Sequence, residues 1–128
     1  MVAGQKKWSL AWYAKKGMSV WDWDKQFLAD VREYAEKGEH SKVDFQGTAI
    51  EFANALYVES KKRLTVYGGA FFTPLPVALD LVDMLGVPGG GIIFDPCAGI
   101  GNLLWAAKQR GYMTFGWEIQ MVYASVAQ

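Results

Sequence analysis

A carboxylate followed by a glycine-bearing stretch is the part of this chain best suited to hold a ligand. The stretch reads Asp95-Pro96-Cys97-Ala98-Gly99-Ile100-Gly101-Asn102. An apolar run, residues 91–94, precedes it and a second, residues 103–107, follows it, which predicts a strand, a turn and a helix. Glycines let the backbone approach a ligand closely, and the helix directs its first amide groups to the same place. The pattern is typical of a nucleoside-binding turn.

A second carboxylate narrows the chemistry of the ligand. Glu118 ends another predicted strand, residues 112–118. At the tip of a strand beside that of Asp95, Glu118 is placed to accept hydrogen bonds from both hydroxyls of a ribose. A pyrophosphate-binding turn would read G-x-G-x-x-G, but Leu104 stands in the place of the third glycine. The sequence therefore favours an adenosine-type ligand without phosphates.

The elements that position this site fall into two parts, which we divide as residues 1–66 and 67–128. The first part is predicted to be a helical segment. Its first helix begins at a capping box formed by Ser19 and Asp22 and ends at Gly38. Its second helix begins near Ser41 or Asp44. The predicted buried faces are Trp23, Phe27, Val31 and Tyr34 in the first helix, and Ile50, Ala53, Leu56, Tyr57 and Ser60 in the second.

In the second part, helices and strands alternate. Thr73 is predicted to cap a helix that has Pro74 at its first position. A strand follows at Ile92–Asp95, a helix at 102–109, and the second strand at 112–118. Strand, helix, strand is a βαβ unit with parallel strands. The apolar face of the first of these helices is predicted to be Val77, Ala78, Leu81, Met84 and Leu85. The predicted fold class is α/β, a partial Rossmann-like fold preceded by an N-terminal helical segment.

The amino-acid composition limits the class of protein and the cellular compartment in which it works. The 128 residues carry 13 basic and 13 acidic side chains, so no global positive field points to nucleic acid. The single cysteine excludes an internal disulfide and is typical of a reducing compartment. No apolar stretch approaches the roughly 20 residues needed to cross a bilayer, and the N-terminus lacks the apolar segment of a signal peptide. We expect a cytoplasmic protein with no membrane association.

Three blocks together resemble a known family, the S-adenosylmethionine-dependent adenine-N6 DNA methyltransferases of restriction-modification systems. Residues 69–74 resemble the family's G-x-F/Y-x-T-P block, residues 95–102 its D-P-x-x-G-x-G-x loop, and residues 116–119 its G-x-E-I/L block. The resemblance covers roughly residues 67–120. It implies S-adenosylmethionine as cofactor, with Glu118 on the ribose and Phe71 and Thr73 beside the methionyl group. The cofactor-binding residues that it implies are Phe71, Thr73, Asp95, Pro96, Gly99, Gly101, Asn102 and Glu118.

The chain departs from the family in one respect. The family's N/D/S-P-P-F/Y/W block holds the flipped adenine, and none of the four prolines here forms a Pro-Pro pair. We therefore expect no catalytic residues in this chain and no methyl transfer by this chain alone. We also expect a homo-oligomer or a partner protein to complete the sheet, and any contact with DNA to be made through the partner. Two alternatives remain: an inactive inhibitor or regulator derived from a methyltransferase, for example an anti-restriction protein, or a structural or assembly protein that keeps the fold fragment.

The N-terminal tryptophans are a separate feature. Four tryptophans are interleaved with lysines over residues 6–23, a pattern that permits base stacking and phosphate contact but that also occurs in cores and interfaces. They are Trp8, Trp12, Trp21 and Trp23, and the lysines are Lys6, Lys7, Lys15 and Lys16. The candidate nucleic-acid residues are Lys15, Lys16, Trp21 and Trp23. His40 is interpreted as a solvated loop residue, and no metal site is predicted.

Overall fold

The chain folds as a mixed α/β protein in two compact units, Met1–Gly69 and Ala70–Gln128. The computed structural model describes residues 6–18, 21–62, 72–86, 90–119 and 121–127. No helix within these ranges is long and apolar enough to cross a membrane. Each unit is described by itself below.

The N-terminal unit combines helices with one short parallel strand pair. Its elements are β1 (Trp8–Ser9), α1 (Leu10–Trp12), a π-helical turn (Tyr13–Gly17), α2 (Trp23–Lys37), β2 (Val43–Asp44) and α3 (Ala49–Lys61). In the strand pair, Trp8 lies opposite Val43. The sequence did not predict this strand pair, because a two-residue strand is too short to show alternation.

Helix α2 buries the face that its sequence predicts. All four residues of the predicted stripe are buried. The helix ends at Gly38, whose φ of 74° is left-handed and whose N–H donates to the carbonyl of Tyr34. The helix begins at Trp23, and Asp22 makes no side-chain capping bond. Ser19, the other member of the predicted capping box, lies outside the described residues.

Helix α3 begins later than the sequence predicted, at Ala49 rather than near Ser41 or Asp44. Thr48 and Glu51 form a reciprocal capping box there, and the hydrogen bonds from Thr48 lower the pKa of the Glu51 carboxyl. Most of the predicted stripe is buried, although Ile50 is only half-buried, and Phe52 joins the core unpredicted. The T-x-x-E pattern of Thr48 and Glu51 is the sequence feature that marks this start.

A buried polar network organises the N-terminal unit. The Tyr13 hydroxyl donates to Asp30 Oδ2 at 2.7 Å and accepts from Gln26 Nε2 at 2.9 Å. His40 Nε2 lies 2.9 Å from Asp30 Oδ1, and the Lys42 N–H donates to His40 Nδ1 at 3.0 Å. Since Nδ1 accepts, Nε2 carries the proton and donates to Asp30. His40 is only 2% exposed, so its interpretation as a solvated loop residue is wrong. Burial, and then the hydrogen bond to Asp30, raise the pKa of the Tyr13 hydroxyl.

The C-terminal unit contains the predicted parallel strand pair. Its elements are α4 (Leu75–Asp83), β3 (Ile92–Asp95), α5 (Asn102–Gln109), β4 (Met113–Gly116) and α6 (Met121–Ala127). The predicted bounds of β3 and α5 are confirmed, β4 is shorter than predicted, and α6 was not predicted. The two strands pair in parallel, with Ile92 opposite Met113 and Asp95 opposite Gly116. Helix α5 connects them, which confirms the βαβ unit.

Helix α4 differs from its prediction at both its start and its face. Leu75 is its first residue, and Pro74 is the N-cap, without a side-chain capping bond. Ala78 and Val82 form its buried face. The other four residues of the predicted face, Val77, Leu81, Met84 and Leu85, are exposed. The helix is apolar on more than one side, so periodicity alone could not choose the packed face.

The β3–β4 sheet is covered on one face and open on the other. On the covered side, Ala78 and Val82 of α4 pack with Ala106 and Ala107 of α5, and Ile93 packs against this cluster. On the other side four apolar side chains are between 49% and 67% exposed: Ile92, Phe94, Met113 and Phe115. We call these four residues the open sheet face. Parallel sheets are normally covered on both faces.

Replacing Tyr13 by Phe tests the buried network. The change removes the donor to Asp30 and the acceptor of Gln26, and we expect the free energy of unfolding to fall by about 1–3 kcal/mol. Urea denaturation followed by circular dichroism measures it. In an Asp30→Asn background the loss should shrink, because the charged acceptor is gone. Equal losses in both backgrounds would show that the hydrogen bond to Asp30 is not the important one.

Candidate functional site

The turn after β3 is shaped by its own hydrogen bonds and by two glycines. The N–H of Cys97 donates to Asp95 Oδ1 at 2.9 Å, and the N–H of Gly101 donates to the carbonyl of Ala98 at 2.9 Å. Gly99 and Gly101 have φ values of 58° and 92°, which L side chains adopt only at a cost. Asp95 therefore organises the start of the turn, and the two glycines permit its shape. We call residues 96–101 the glycine loop.

The glycine loop is bonded to the end of β4. The N–H of Gly99 donates to Glu118 Oε1 at 2.9 Å, and the N–H of Ala98 donates to the carbonyl of Trp117 at 2.8 Å. Next to these bonds, the N–H of Trp117 donates to the carbonyl of Asp95 at 2.9 Å. The carboxylate of Glu118 thus lies at the same sheet edge as the glycine loop. Two of the three sequence blocks meet at this edge.

The third block packs against the same loop through Phe72. A Cβ added to Gly99 would lie 2.9 Å from Cδ1 of the Phe72 ring. That ring also contacts Tyr123 of α6 edge to face, with 4.9 Å between centroids. Phe72 is buried. Gly99 is therefore required by close packing as well as by its φ.

A small cavity of about 50 Å³ lies beside the glycine loop. The Asn102 side-chain amide donates to the carbonyl of Thr73 at 2.8 Å and joins the first block to the start of α5. The lining residues are Phe72, Thr73, Asp95, Cys97, Ala98, Gly99, Ile100, Asn102 and Leu103. Among the described residues, no group of three or more histidine, cysteine and carboxylate side chains could hold a metal ion.

The structure brings together only part of the predicted cofactor set. Thr73, Asp95, Gly99 and Asn102 line the cavity. Pro96 and Gly101 belong to the loop without lining the cavity, and Glu118, two residues after the end of β4, contacts the loop. Phe71 lies outside the described residues. Phe72 is absent from the predicted set, and its place next to Phe71 and Thr73 in the same block was the one sequence signal for it.

The hydrogen-bonding groups around the glycine loop suit a nucleoside, but the cavity there is too small to hold one. A carboxylate at the neighbouring strand end, backbone amides and an aromatic ring are the groups that bind ribose and base. Ligand pockets of ordinary size enclose roughly 300–1,000 Å³, far more than the 50 Å³ found here. The Phe72 ring fills the space over Gly99. A nucleoside enters only if that ring moves away.

The structure places three of the four residues predicted to contact nucleic acid at the surface and buries the fourth. Lys15 and Lys16 are exposed, and their Nζ atoms lie 5.8 and 5.9 Å from the centroid of the Trp12 ring. Trp21 is exposed. Trp23 is only 5% exposed and stacks on Phe27, with 4.8 Å between centroids, so its ring is not accessible to a base. The expectation for Trp23 is corrected: it belongs to the core of the N-terminal unit.

Replacing Gly99 by Ala tests the close packing of the glycine loop. We expect a loss of unfolding free energy larger than the roughly 1–2 kcal/mol that a left-handed residue alone costs, because the new methyl group meets Phe72. Gly111→Ala is the matched control, since Gly111 has a φ of 85° and nothing within 4 Å of its added Cβ. Urea denaturation compares the two. Equal losses would show that the Phe72 contact relaxes without cost.

The comparisons with known proteins return no relative. No protein-family model, curated protein or solved structure matches this chain. The likeness to methyltransferases therefore rests on the three sequence blocks alone.

Proposed function

We propose that residues 67–128 form the S-adenosylmethionine-binding portion, with a partial Rossmann-like fold, of an adenine-N6 DNA methyltransferase-like protein. Methyl transfer then requires a second chain that carries the base-binding block. The observation that carries the proposal is the 2.9 Å hydrogen bond from the Gly99 N–H to Glu118 Oε1. It joins two separate sequence blocks at the carboxyl edge of a parallel strand pair, where ligands of such sheets bind.

Each residue has a distinct role in the proposed site. Glu118 accepts hydrogen bonds from the two ribose hydroxyls, which are neutral donors suited to a carboxylate. Gly99 brings the loop backbone close to the ligand because it has no side chain. Thr73 and Asp95 lie toward the methionyl end, by resemblance to the family. The bound cofactor would supply the methyl group, and these residues bind and orient it.

The open sheet face supports the need for a second chain. Apolar side chains from two adjacent strands lie next to one another there, since Phe94 pairs with Phe115 in the strand register. A contiguous apolar patch of this kind marks an interaction site more often than a solvated surface. A homo-oligomer or a partner protein that covers this face would bury these apolar side chains, and the partner would bring the DNA.

A structural role without a ligand is the second candidate. The 50 Å³ cavity and the Phe72 ring over Gly99 favour it, because a loop that has lost its ligand fills with its own side chains. The glycine loop would then serve only to connect β3 and α5. Cofactor binding decides between the two candidates.

Calorimetric titration with S-adenosylmethionine tests the proposed function. We expect saturable heat from the full chain and a dissociation constant raised about tenfold or more by Glu118→Ala, which removes a charged hydrogen-bond acceptor. Glu118→Gln retains an oxygen for the Gly99 N–H and should weaken binding less. Asp80→Ala, an exposed carboxylate on α4, is the control that should leave affinity unchanged. Absence of heat at millimolar cofactor would contradict the proposal and favour the structural role.

Replacing Phe94 or Phe115 by Glu tests the open sheet face. Sedimentation at micromolar concentration should show that the wild-type chain self-associates or binds a co-purified partner. Each substitution should reduce this association, because it puts a charge in an apolar contact. Val58→Glu, at an exposed apolar position of α3, is the matched control and should change nothing. A compact wild-type monomer that captures no partner would contradict this part of the proposal.

A further inference from the structure

A cleft in the N-terminal unit places a tryptophan ring among basic side chains. It has a volume of about 670 Å³ and lies between the α1 region and the end of α3. Its lining residues are Ser9, Ala11, Trp12, Lys15, Glu59 and Lys62. None of the proposed cofactor-binding residues takes part, so the cleft is independent of the proposed cofactor site.

The fold holds the Trp12 ring at the surface. Trp12 is the last residue of α1, and its backbone N–H donates to Ser9 Oγ at 3.2 Å. The next residue, Tyr13, is buried and hydrogen-bonded to Asp30, which fixes the rotation of the helical turn. Successive helical side chains point in different directions, so burying Tyr13 directs Trp12 outward. The Trp12 side chain is 49% exposed. A large indole is thus presented to solvent by a rigid support.

The charge around this ring is positive. Lys15 and Lys16 place their Nζ atoms 5.8 and 5.9 Å from the Trp12 centroid. Neither lysine has a carboxylate within ion-pairing distance in the part of the chain that the structure describes. Glu59 is the one acidic residue of the lining. It forms an ion pair with Lys62, whose Nζ atom lies 3.0 Å from Glu59 Oε1. An anionic group entering the cleft therefore meets the ammonium group of Lys15, which has no carboxylate partner among the described residues, and Lys16 lies beside the same ring outside the lining.

We infer that this cleft binds single-stranded nucleic acid, with one base stacked on Trp12 and the flanking phosphates held by Lys15 and Lys16. An aromatic platform beside lysines is the combination that binds single strands, because every base has a stacking face and every linkage a negative charge. A duplex keeps its bases paired and stacked, so its bases cannot reach the ring. A flat bilayer surface does not fill a concave cleft. Free nucleotides share the chemistry but offer fewer phosphates to the lysines.

The probe is a fluorescently labelled oligothymidylate of about 10 nucleotides, a length within the site size of single-strand binders. The full chain is titrated into it. We expect Trp12→Leu to raise the dissociation constant about 5- to 100-fold, the effect of one lost base stack. Trp12→Phe keeps an aromatic face and should recover most of the affinity. Both variants are compared with the wild type by thermal unfolding, because Trp12 also covers part of the unit.

The salt dependence tests the lysines separately from the ring. Lys15→Ala and Lys16→Ala should each lower the slope of log affinity against log salt by about 0.7, the value for one phosphate contact on a single strand. Trp12→Leu should leave the slope unchanged. Lys25→Ala, an exposed lysine of α2 outside the cleft, is the matched control and should alter neither affinity nor slope. If Trp12→Leu does not fold, the two lysine slopes decide the outcome.

Competition identifies the ligand class. Unlabelled single strand should displace the probe at much lower concentration than a duplex of the same sequence, thymidine monophosphate or anionic phospholipid vesicles. The inference is overturned if any of these competes equally well, or if Trp12→Leu folds and binds the probe as tightly as the wild type. Because Glu118 lies in the other unit, Glu118→Ala should leave oligonucleotide affinity unchanged, so failure of the cofactor proposal and failure of this one are distinguishable.

Discussion

The buried carboxylate of Asp30 is the constraint on which the N-terminal unit depends. A buried charge is tolerated only when each oxygen has a partner, and here Tyr13 and His40 supply one each. Tyr13 fixes the turn that follows α1, while His40 fixes the segment that leads to β2 through the N–H of Lys42. The strand pair and the outward position of Trp12 both follow from satisfying this one group. The surface cleft is thus supported by the polar core.

The C-terminal unit depends on a different constraint, the pairing of two strand ends. Because β3 and β4 are parallel, their carboxyl ends lie at one edge, and the backbone N–H groups of the loop after β3 need acceptors there. Glu118 and the carbonyl of Trp117 provide them. The same bonds place the Glu118 carboxylate at the carboxyl end of the strand pair, where the proposed cofactor site needs it. The proposed site therefore uses a group that also holds the loop in place.

Local pattern predicted the regular parts of both units. The stripe from Trp23 to Tyr34 and the stop at Gly38 are confirmed, because helical spacing and a left-handed glycine act through neighbours along the chain. The bounds of β3 and α5 are confirmed for a similar reason, since turn residues flank an apolar run. The packed face of α4 was mispredicted because that helix is apolar on several sides. Within the site, the predicted set omitted Phe72, whose contact with Gly99 joins residues distant in sequence.

The sequence by itself determined which residues supply the polar groups and the turn of the proposed site: a carboxylate and two glycines after one strand, and a second carboxylate after the next. Residue type and spacing suffice for this, because they fix donors, acceptors and allowed φ values. Only the tertiary structure decided that Trp23 is buried while Trp12 is presented to solvent, that His40 belongs to the core, and that Phe72 reduces the cavity to 50 Å³. These outcomes depend on which distant side chains fill the same space, and packing of that kind leaves no periodic signal in the chain.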